Sequence, residues 1–322
     1  MKKRILIIGS LNMDMVIEMK KMPLIGETVL GKTLSYVPGG KGANQAYAAG
    51  KSGGDVIMLG CVGDDSMGDA LLKSISHSGA DVSNIAKVEG KPTGTAVIYV
   101  NEKGDNSIVV VSGANGFCDV EYLKENDFLF GEAEYVMLQM EIPHEAVYYA
   151  IKRAKELGKT VILNPAPAPE ELPESIWDKI DYITPNETEL MQLSNHGASD
   201  KGTGASIEEI EGCAARLLEK GVKNVLVTLG DKGALLVNNN RSKMYPARKV
   251  MVMDTTAAGD CFNGAFVAAL AGGTQEGQAI LFANAASSIS VTRKGAQSSI
   301  PDKGEVEQLL GSMAQTLEYD EA

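Results

Sequence analysis

The chain has 322 residues, enough to bury a core without disulfide or metal staples, and its 44% apolar and 22% charged residues exclude a disordered chain. Thirty Lys and Arg against 42 Asp and Glu leave a net charge of −12, and aromatics are only 5%. That balance argues against nucleic-acid and anionic-membrane partners, while leaving room for a small anion at a local site.

The first ten residues carry positive charge followed by an apolar run, as a signal peptide does. The run 5–8 is too short, and Asn12 and Asp14 follow at once. No stretch reaches membrane-spanning length, so a cytoplasmic protein is expected. Arg4–Ile8 is apolar on both sides, rich in isoleucine and bounded by Gly9, which predicts a buried parallel strand. Similar runs recur at 56–59, 135–138, 160–163, 182–184 and 225–228. Helical patterns lie between them at 42–50, 66–76, 144–157 and 207–220. The chain then turns helical at 258–270, 274–291 and 303–310, with fraying expected over 318–322. This alternation predicts an α/β fold, a central mostly parallel sheet flanked by helices, in one domain over residues 1–322. Two stretches at about 13–37 and 90–111 are β-prone, carry turn signals and hold no helix. They predict inserted hairpins forming a small β-sheet lid that covers a ligand or another subunit.

Some features point away from familiar chemistries. Cys61, Cys118, Cys213 and Cys261 form no CxxC pair, so all four read as structural. His77, His144 and His196 match no catalytic or metal spacing and are assigned to the surface. Residues 26–33 satisfy the P-loop pattern, yet Pro23 precedes them, 28–30 is β-prone and Pro38 stops any helix. They read as part of a hairpin. No GxGxxG follows Ile8, which disfavours a nicotinamide-dependent dehydrogenase.

Five places have the residue types of a ligand site, each with a plainer reading. Asn12 and Asp14 follow the first strand, where open α/β sheets bind ligands, and suit polyol hydroxyls; they also suit an Asx turn. Residues 39–46, with Gly39, Gly40 and Gly42, combine close backbone approach with the polar donors Lys41 and Asn44 at a helix start, or simply make a packed turn. Glu141 follows a later strand and joins the same crevice or is a solvated loop charge. Asn186 and Glu189 share one side of a first helical turn and offer oxygens to Mg²⁺ through water, or act as an N-cap and its partner. The segment 254–264 is the sharpest. Its small residues lead into a helix whose free N–H groups form an anion hole, with Asp260 in the first turn. A carboxylate there can take a proton from an attacking hydroxyl while the hole holds a phosphoryl group; alternatively it only caps the helix.

Together these segments resemble the ribokinase family, the PfkB-type carbohydrate kinases. The likeness runs from about Ile5 to Pro301, with 39–44 and 254–264 as its two signatures and Asn186-x-x-Glu189 between them. The resemblance implies ATP-dependent phosphorylation of D-ribose at its 5-hydroxyl. The alternatives are a kinase for 2-deoxyribose or another furanose, and a sugar-binding sensor without catalysis. It implies that Asn12, Asp14, Gly40, Lys41, Gly42, Asn44 and Glu141 bind the sugar and that Asp260 is the base. Ala257, Ala258 and Gly259 would form the anion hole. Asn186 and Glu189 would organise Mg²⁺ around the ATP phosphates. Thr228, Leu229, Gly230, Asp231, Lys232 and Gly233 would line the nucleotide site, with Asn284 beside adenine. A potassium site would fall at Asp254 and Thr256, with Ser290, Arg293, Gly295 and Ser299. The hairpins would be a lid that closes over the sugar and forms the contact of a homodimer.

Overall fold

The structure is a computed structural model and describes residues 3–194 and 204–320. The first strand, β1 (Arg4–Ile8), is followed by β2 (Asn12–Met19) and β3 (Gly31–Gly39). Then come α1 (Lys41–Lys51), β4 (Asp55–Leu59), β5 (Cys61–Gly63) and α2 (Ser66–Ser76). Strands β6 (Ala86–Val88), β7 (Gly94–Val100) and β8 (Asn106–Val111) lead through two short helices, α3 (Val120–Glu125) and α4 (Phe128–Glu132), to β9 (Tyr135–Leu138). Next are α5 (His144–Glu156), β10 (Thr160–Leu163), β11 (Tyr182–Ile183), α6 (Glu187–Leu193) and α7 (Ile207–Glu219). The remainder is β12 (Asn224–Thr228), β13 (Gly233–Asn238), β14 (Arg241–Pro246), α8 (Ala258–Ala271), α9 (Glu276–Ser290) and α10 (Lys303–Asp320).

Eight strands form the central sheet in the order β14-β13-β12-β11-β10-β9-β1-β4. Strands β4, β1, β9, β10, β11 and β12 run parallel, and β13 and β14 fold back antiparallel at one edge. Strand β1 shows why both faces are covered. Leu6 and Ile8 join one apolar cluster with α5 and α7, while Ile5 and Ile7 join a second with α1, α8 and α9. All four side chains are fully buried, which is why the strand reads as continuously apolar.

The two inserted hairpins, β2–β3 and β7–β8, pair through β2 and β7 into a four-stranded sheet ordered β3-β2-β7-β8. The P-loop look-alike at 26–33 falls on the turn before β3 and on its first residues. A two-stranded sheet, β5–β6, was not anticipated, nor was the β13–β14 edge. The last helix runs to Asp320, past the expected end at residue 310 and into the segment expected to fray. His77 and His144 are exposed; His196 lies outside the described residues. All four cysteines are buried and free. Burial pushes the Cys261 thiol up to about 12, so it stays protonated. No described helix is long and apolar enough to cross a membrane.

Candidate active site

Parallel strands bring their carboxyl ends to one edge of a sheet, and here that edge meets the starts of α1 and α8. A cleft of about 620 Å³ opens there. It is lined by Lys41 from α1, Asn164 and Thr184 after β10 and β11, Asn186 and Glu189 from α6, Thr228, Gly230 and Gly233 around β12–β13, residues 257–260 of α8, and Asn284 of α9.

Asp260 lies at the junction of the cleft with the small sheet. It is 8% exposed. Its Oδ2 accepts from the Asn44 amide at 3.0 Å and its Oδ1 from the Gln45 amide at 3.0 Å. Burial pushes its carboxyl above the ordinary range; Lys41 and the two amides oppose that, and Glu141 adds to it. At the start of α8, Ala257 has φ 57°, the one positive φ outside glycine among the described residues. This left-handed residue turns the chain into the helix at a local cost of about 1–2 kcal/mol. The Ala258 N–H is engaged by the Thr255 carbonyl at 3.2 Å, so it is not an open donor as expected. No described group accepts from the N–H of Ala257, Gly259 or Asp260. A Cβ on Gly259 would meet nothing within 4 Å, which leaves that donor open to a ligand. Three open donors at a helix N-terminus suit an anion.

Beyond Asp260, the Gly-rich segment packs against the turn between β1 and β2. A Cβ on Gly42 would lie 2.6 Å from Gly9 C and Ser10 N. Gly40, with φ 90°, would meet the Asn12 backbone N at 2.6 Å. These approaches place Lys41 and Asn12 side by side. Glu141 Oε2 accepts from Ser10 Oγ at 2.6 Å and from the Lys41 N–H at 3.1 Å. Asn12 Oδ1 accepts from the Asn115 amide at 2.8 Å, and Asn115 also bonds both backbone groups of Leu11. Ser10, Asn115 and Gln139 carried no motif in the sequence; Gln45 and Asn164 lay in segments that carry the resemblance, but nothing there assigned them a role.

Lys41 is surrounded by Asp260, Glu141, Glu189 and Asp14. Burial alone would lower its pKa, but the four carboxylates outweigh this and raise it, so it is a fixed cation. Asp14 is pushed up to about 7 by burial first, then by Glu141 and Asp260, with Lys41 opposing. Its folded value exceeds its unfolded one, so its stabilising proton is fully bound in acid and lost as pH rises towards 7. The melting temperature of Asp14→Asn relative to the parent is therefore expected to rise between about pH 4 and 7 and to level off above. A pH-independent difference in thermal melts would contradict this.

The remaining expected residues fall into two groups. Asn186 and Glu189 form a capping box: Asn186 Oδ1 accepts from Glu189 N at 2.8 Å, and Glu189 Oε2 accepts from Asn186 N at 2.9 Å. The plainer capping geometry is thus present, within the cleft, with Glu189 Oε1 left over for a ligand. Asn284 donates to the Tyr245 carbonyl at 2.8 Å, tying α9 to β14 at the cleft wall. Leu229 is instead buried in the core, and Asp231 and Lys232 are exposed outside the lining.

In the segment leading into α8, Asp254 Oδ1 accepts from Thr256 N and Oγ1, and its Oδ2 accepts from Gly295 N at 2.9 Å. Burial raises the Asp254 pKa, but these bonds prevail and hold it below the ordinary range. Ser290 and Ser299 hydroxyls lie 2.7 Å apart, fully buried. The Arg293 side chain is paired with Glu305, leaving only its backbone for this turn.

This fold and cleft are those of a sugar-phosphorylating enzyme: the chain belongs to the pfkB family of carbohydrate kinases, whose family model matches residues 2–303. Among known proteins, it is 38% identical to the ribokinase of Haemophilus influenzae over 96% of this chain and 99% of that protein. It is also 38% identical to the deoxyribokinase of Salmonella typhi, over 92% and 95%. The structure of Arabidopsis thaliana ribokinase complexed with ribose and ATP superposes with a TM-score of 0.89 at 34% identity, covering 96% of this chain and 99% of that one.

Proposed function

We propose that the chain transfers the γ-phosphoryl group of ATP to the 5-hydroxyl of D-ribose, giving ribose 5-phosphate and ADP. The observation that carries this reading is Asp260, with open helix N–H donors on one side and Lys41, Glu141 and Asp14 on the other. Asn12, Asp14 and Glu141 suit the sugar hydroxyls, and Lys41 is a cation between the sugar end and the cleft. Asn44 belongs to this set, although its amide already donates to Asp260. Asp260 takes the 5-hydroxyl proton, the oxygen attacks the γ-phosphorus, and the bond to the bridging oxygen breaks as ADP leaves. The N–H groups of Ala257, Gly259 and Asp260 face the charge that builds on the phosphoryl oxygens.

Among the described residues, no group of three or more His, Cys, Asp and Glu side chains could hold a metal. A Mg²⁺ carried by nucleotide phosphates and water, with Asn186 and Glu189 beside it, fits that arrangement. Bound there, Mg²⁺ supplies positive charge against the phosphates. The ionised Asp254 in its turn with Gly295 fits a monovalent cation, K⁺, whose charge would stiffen the entry to α8. Asp254, Thr256 and the turn over 290–299 would hold it.

The similarity to a deoxyribokinase keeps 2-deoxyribose as the second reading, because one hydroxyl alters only a contact or two. A panel of ribose, 2-deoxyribose, fructose and adenosine with MgATP, read by ADP release, tests both. Ribose should give the highest kcat/KM, and activity should fall when sodium replaces potassium. A higher kcat/KM for another sugar contradicts the substrate, and equal activity in the two salts contradicts the role of Asp254.

The small sheet is read as the lid. Its edge strand β8 exposes Ile108, Val109, Val110 and Val111, and β3 exposes Leu34 and Tyr36. An exposed apolar edge strand supports pairing with a second copy. Sedimentation equilibrium should therefore give twice the 34.1 kDa chain mass, and a monomer at assay concentration would contradict the pairing.

A further inference from the structure

We propose that Gln45 is a positioning residue for the phosphoryl transfer: its side-chain amide, locked by Gln139 and Asn164, holds the Asp260 carboxylate aimed at the reacting hydroxyl. The inference rests on reading Asp260 as the base.

Gln45 is fully buried in α1. Its Nε2 donates to Asp260 Oδ1 at 3.0 Å and to Asn164 Oδ1 at 3.0 Å. Its Oε1 accepts from Gln139 Nε2 at 2.7 Å. The amide cannot be reversed. Turned over, its carbonyl would face the Asp260 carboxylate and the Asn164 carbonyl, whose own amide is tied to Thr184.

Both supports for this amide are buried. Gln139 follows β9, and its Oε1 fills the place of a Cβ on Gly9, 1.9 Å from that ideal position. Asn164 follows β10 and donates in turn to the Thr184 carbonyl at 2.9 Å. Packing does not explain a glutamine here. The contact of α1 with α8 is otherwise close and small-residued: a Cβ on Gly264 would lie 2.4 Å from the Gln45 carbonyl and 2.6 Å from the Ala48 Cβ. An apolar side chain would fill the space without three buried hydrogen bonds to satisfy.

The charges facing Asp260 are Lys41, Glu141, Asp14 and Glu189. Cys261, next on α8, stays neutral. Among these, Lys41 and the amides of Asn44 and Gln45 favour the ionised carboxylate against its burial. Gln45 is the donor that also fixes direction, because Gln139 and Asn164 grip its amide at two further points.

The test is Gln45→Met, which keeps length and removes the donor, assayed with ribose and MgATP from about pH 5.5 to 9. The acidic limb of kcat should move to higher pH, with kcat at pH 6 falling at least ~10-fold and the sugar KM changing less than ~3-fold. Recovery at high pH should be partial, because the ionised carboxylate is then present but no longer aimed. An unmoved limb, or equal loss at every pH, overturns the proposal. Should Gln45→Met fail to fold by circular dichroism, Gln139→Met removes the lock without touching Asp260. It should move the limb the same way by less, and a parent-like profile overturns the proposal. Asp260→Asn run in parallel separates the two ideas: normal turnover there defeats the base assignment itself, whatever Gln45 does.

Discussion

Asp260→Asn is expected to lower kcat by about 10²–10⁴ while the protein remains folded. The side chain keeps its shape and place, so sugar and nucleotide binding should survive. What is lost is the acceptor for the hydroxyl proton. The open N–H groups at the start of α8 remain, and they account for residual turnover. Stability moves little because two effects oppose. A buried charge is removed, which favours the fold. One of the donors from Asn44 and Gln45 then meets an NH₂ group in place of an oxygen, at about 1–3 kcal/mol. Steady-state ADP release together with a thermal melt checks both halves. Near-normal turnover in a folded variant would contradict the mechanism.

The second large effect is expected at Gly42, which takes no part in the proton transfer itself. An alanine Cβ there would sit 2.6–2.7 Å from three backbone atoms of Gly9 and Ser10. Backbone cannot swing away as a side chain can, so α1 must shift. Overpacking of this kind costs about 1–3 kcal/mol or more. The same shift carries Lys41, Asn44 and Gln45 with it, and about 1 Å of misplacement costs about 10² in rate. Gly42→Ala should therefore lower both the melting temperature and kcat/KM, the latter by roughly 10²-fold. Gly212, in the middle of α7, is the control: a Cβ there meets nothing within 4 Å. Gly212→Ala should be at least as stable as the parent, by up to about 1 kcal/mol, and fully active. Parental activity in Gly42→Ala would show that the glycine does not set the position of α1.

Much of the frame could be read directly. The runs at Arg4–Ile8, Tyr135–Leu138 and Thr160–Leu163 are strands with the predicted bounds, because a strand covered on both faces is apolar throughout. Helix α2 spans Ser66–Ser76 as its period predicts, started by the Asp65 cap. The pair β5–β6 escaped notice since three residues carry no period. Strand β14 also escaped: its exposed Arg-Ser-Lys start reads as loop.

At the site, the pattern pointed to Asp260 and the Gly-rich segment. It did not show what the glycines do, because Gly40 and Gly42 answer to the Asn12 and Gly9–Ser10 backbone some thirty residues earlier. Nor did it show the amides. Gln45 and Gln139 are 94 positions apart, and Gln45 and Asp260 are 215 apart. Glutamine inside a small-residue helix carries no signal until its partners are in place. The expected anion hole also needed adjusting, since whether Ala258 offers a free N–H depends on the turn with Thr255.

The most direct measurement is a crystal structure of the chain with D-ribose and ADP. The account predicts the 5-hydroxyl within about 2.6–3.2 Å of the Asp260 carboxylate, pointing at the open end of the α8 helix. A well-ordered ribose with that hydroxyl turned away from Asp260, and another side chain in reach of it, would contradict the account.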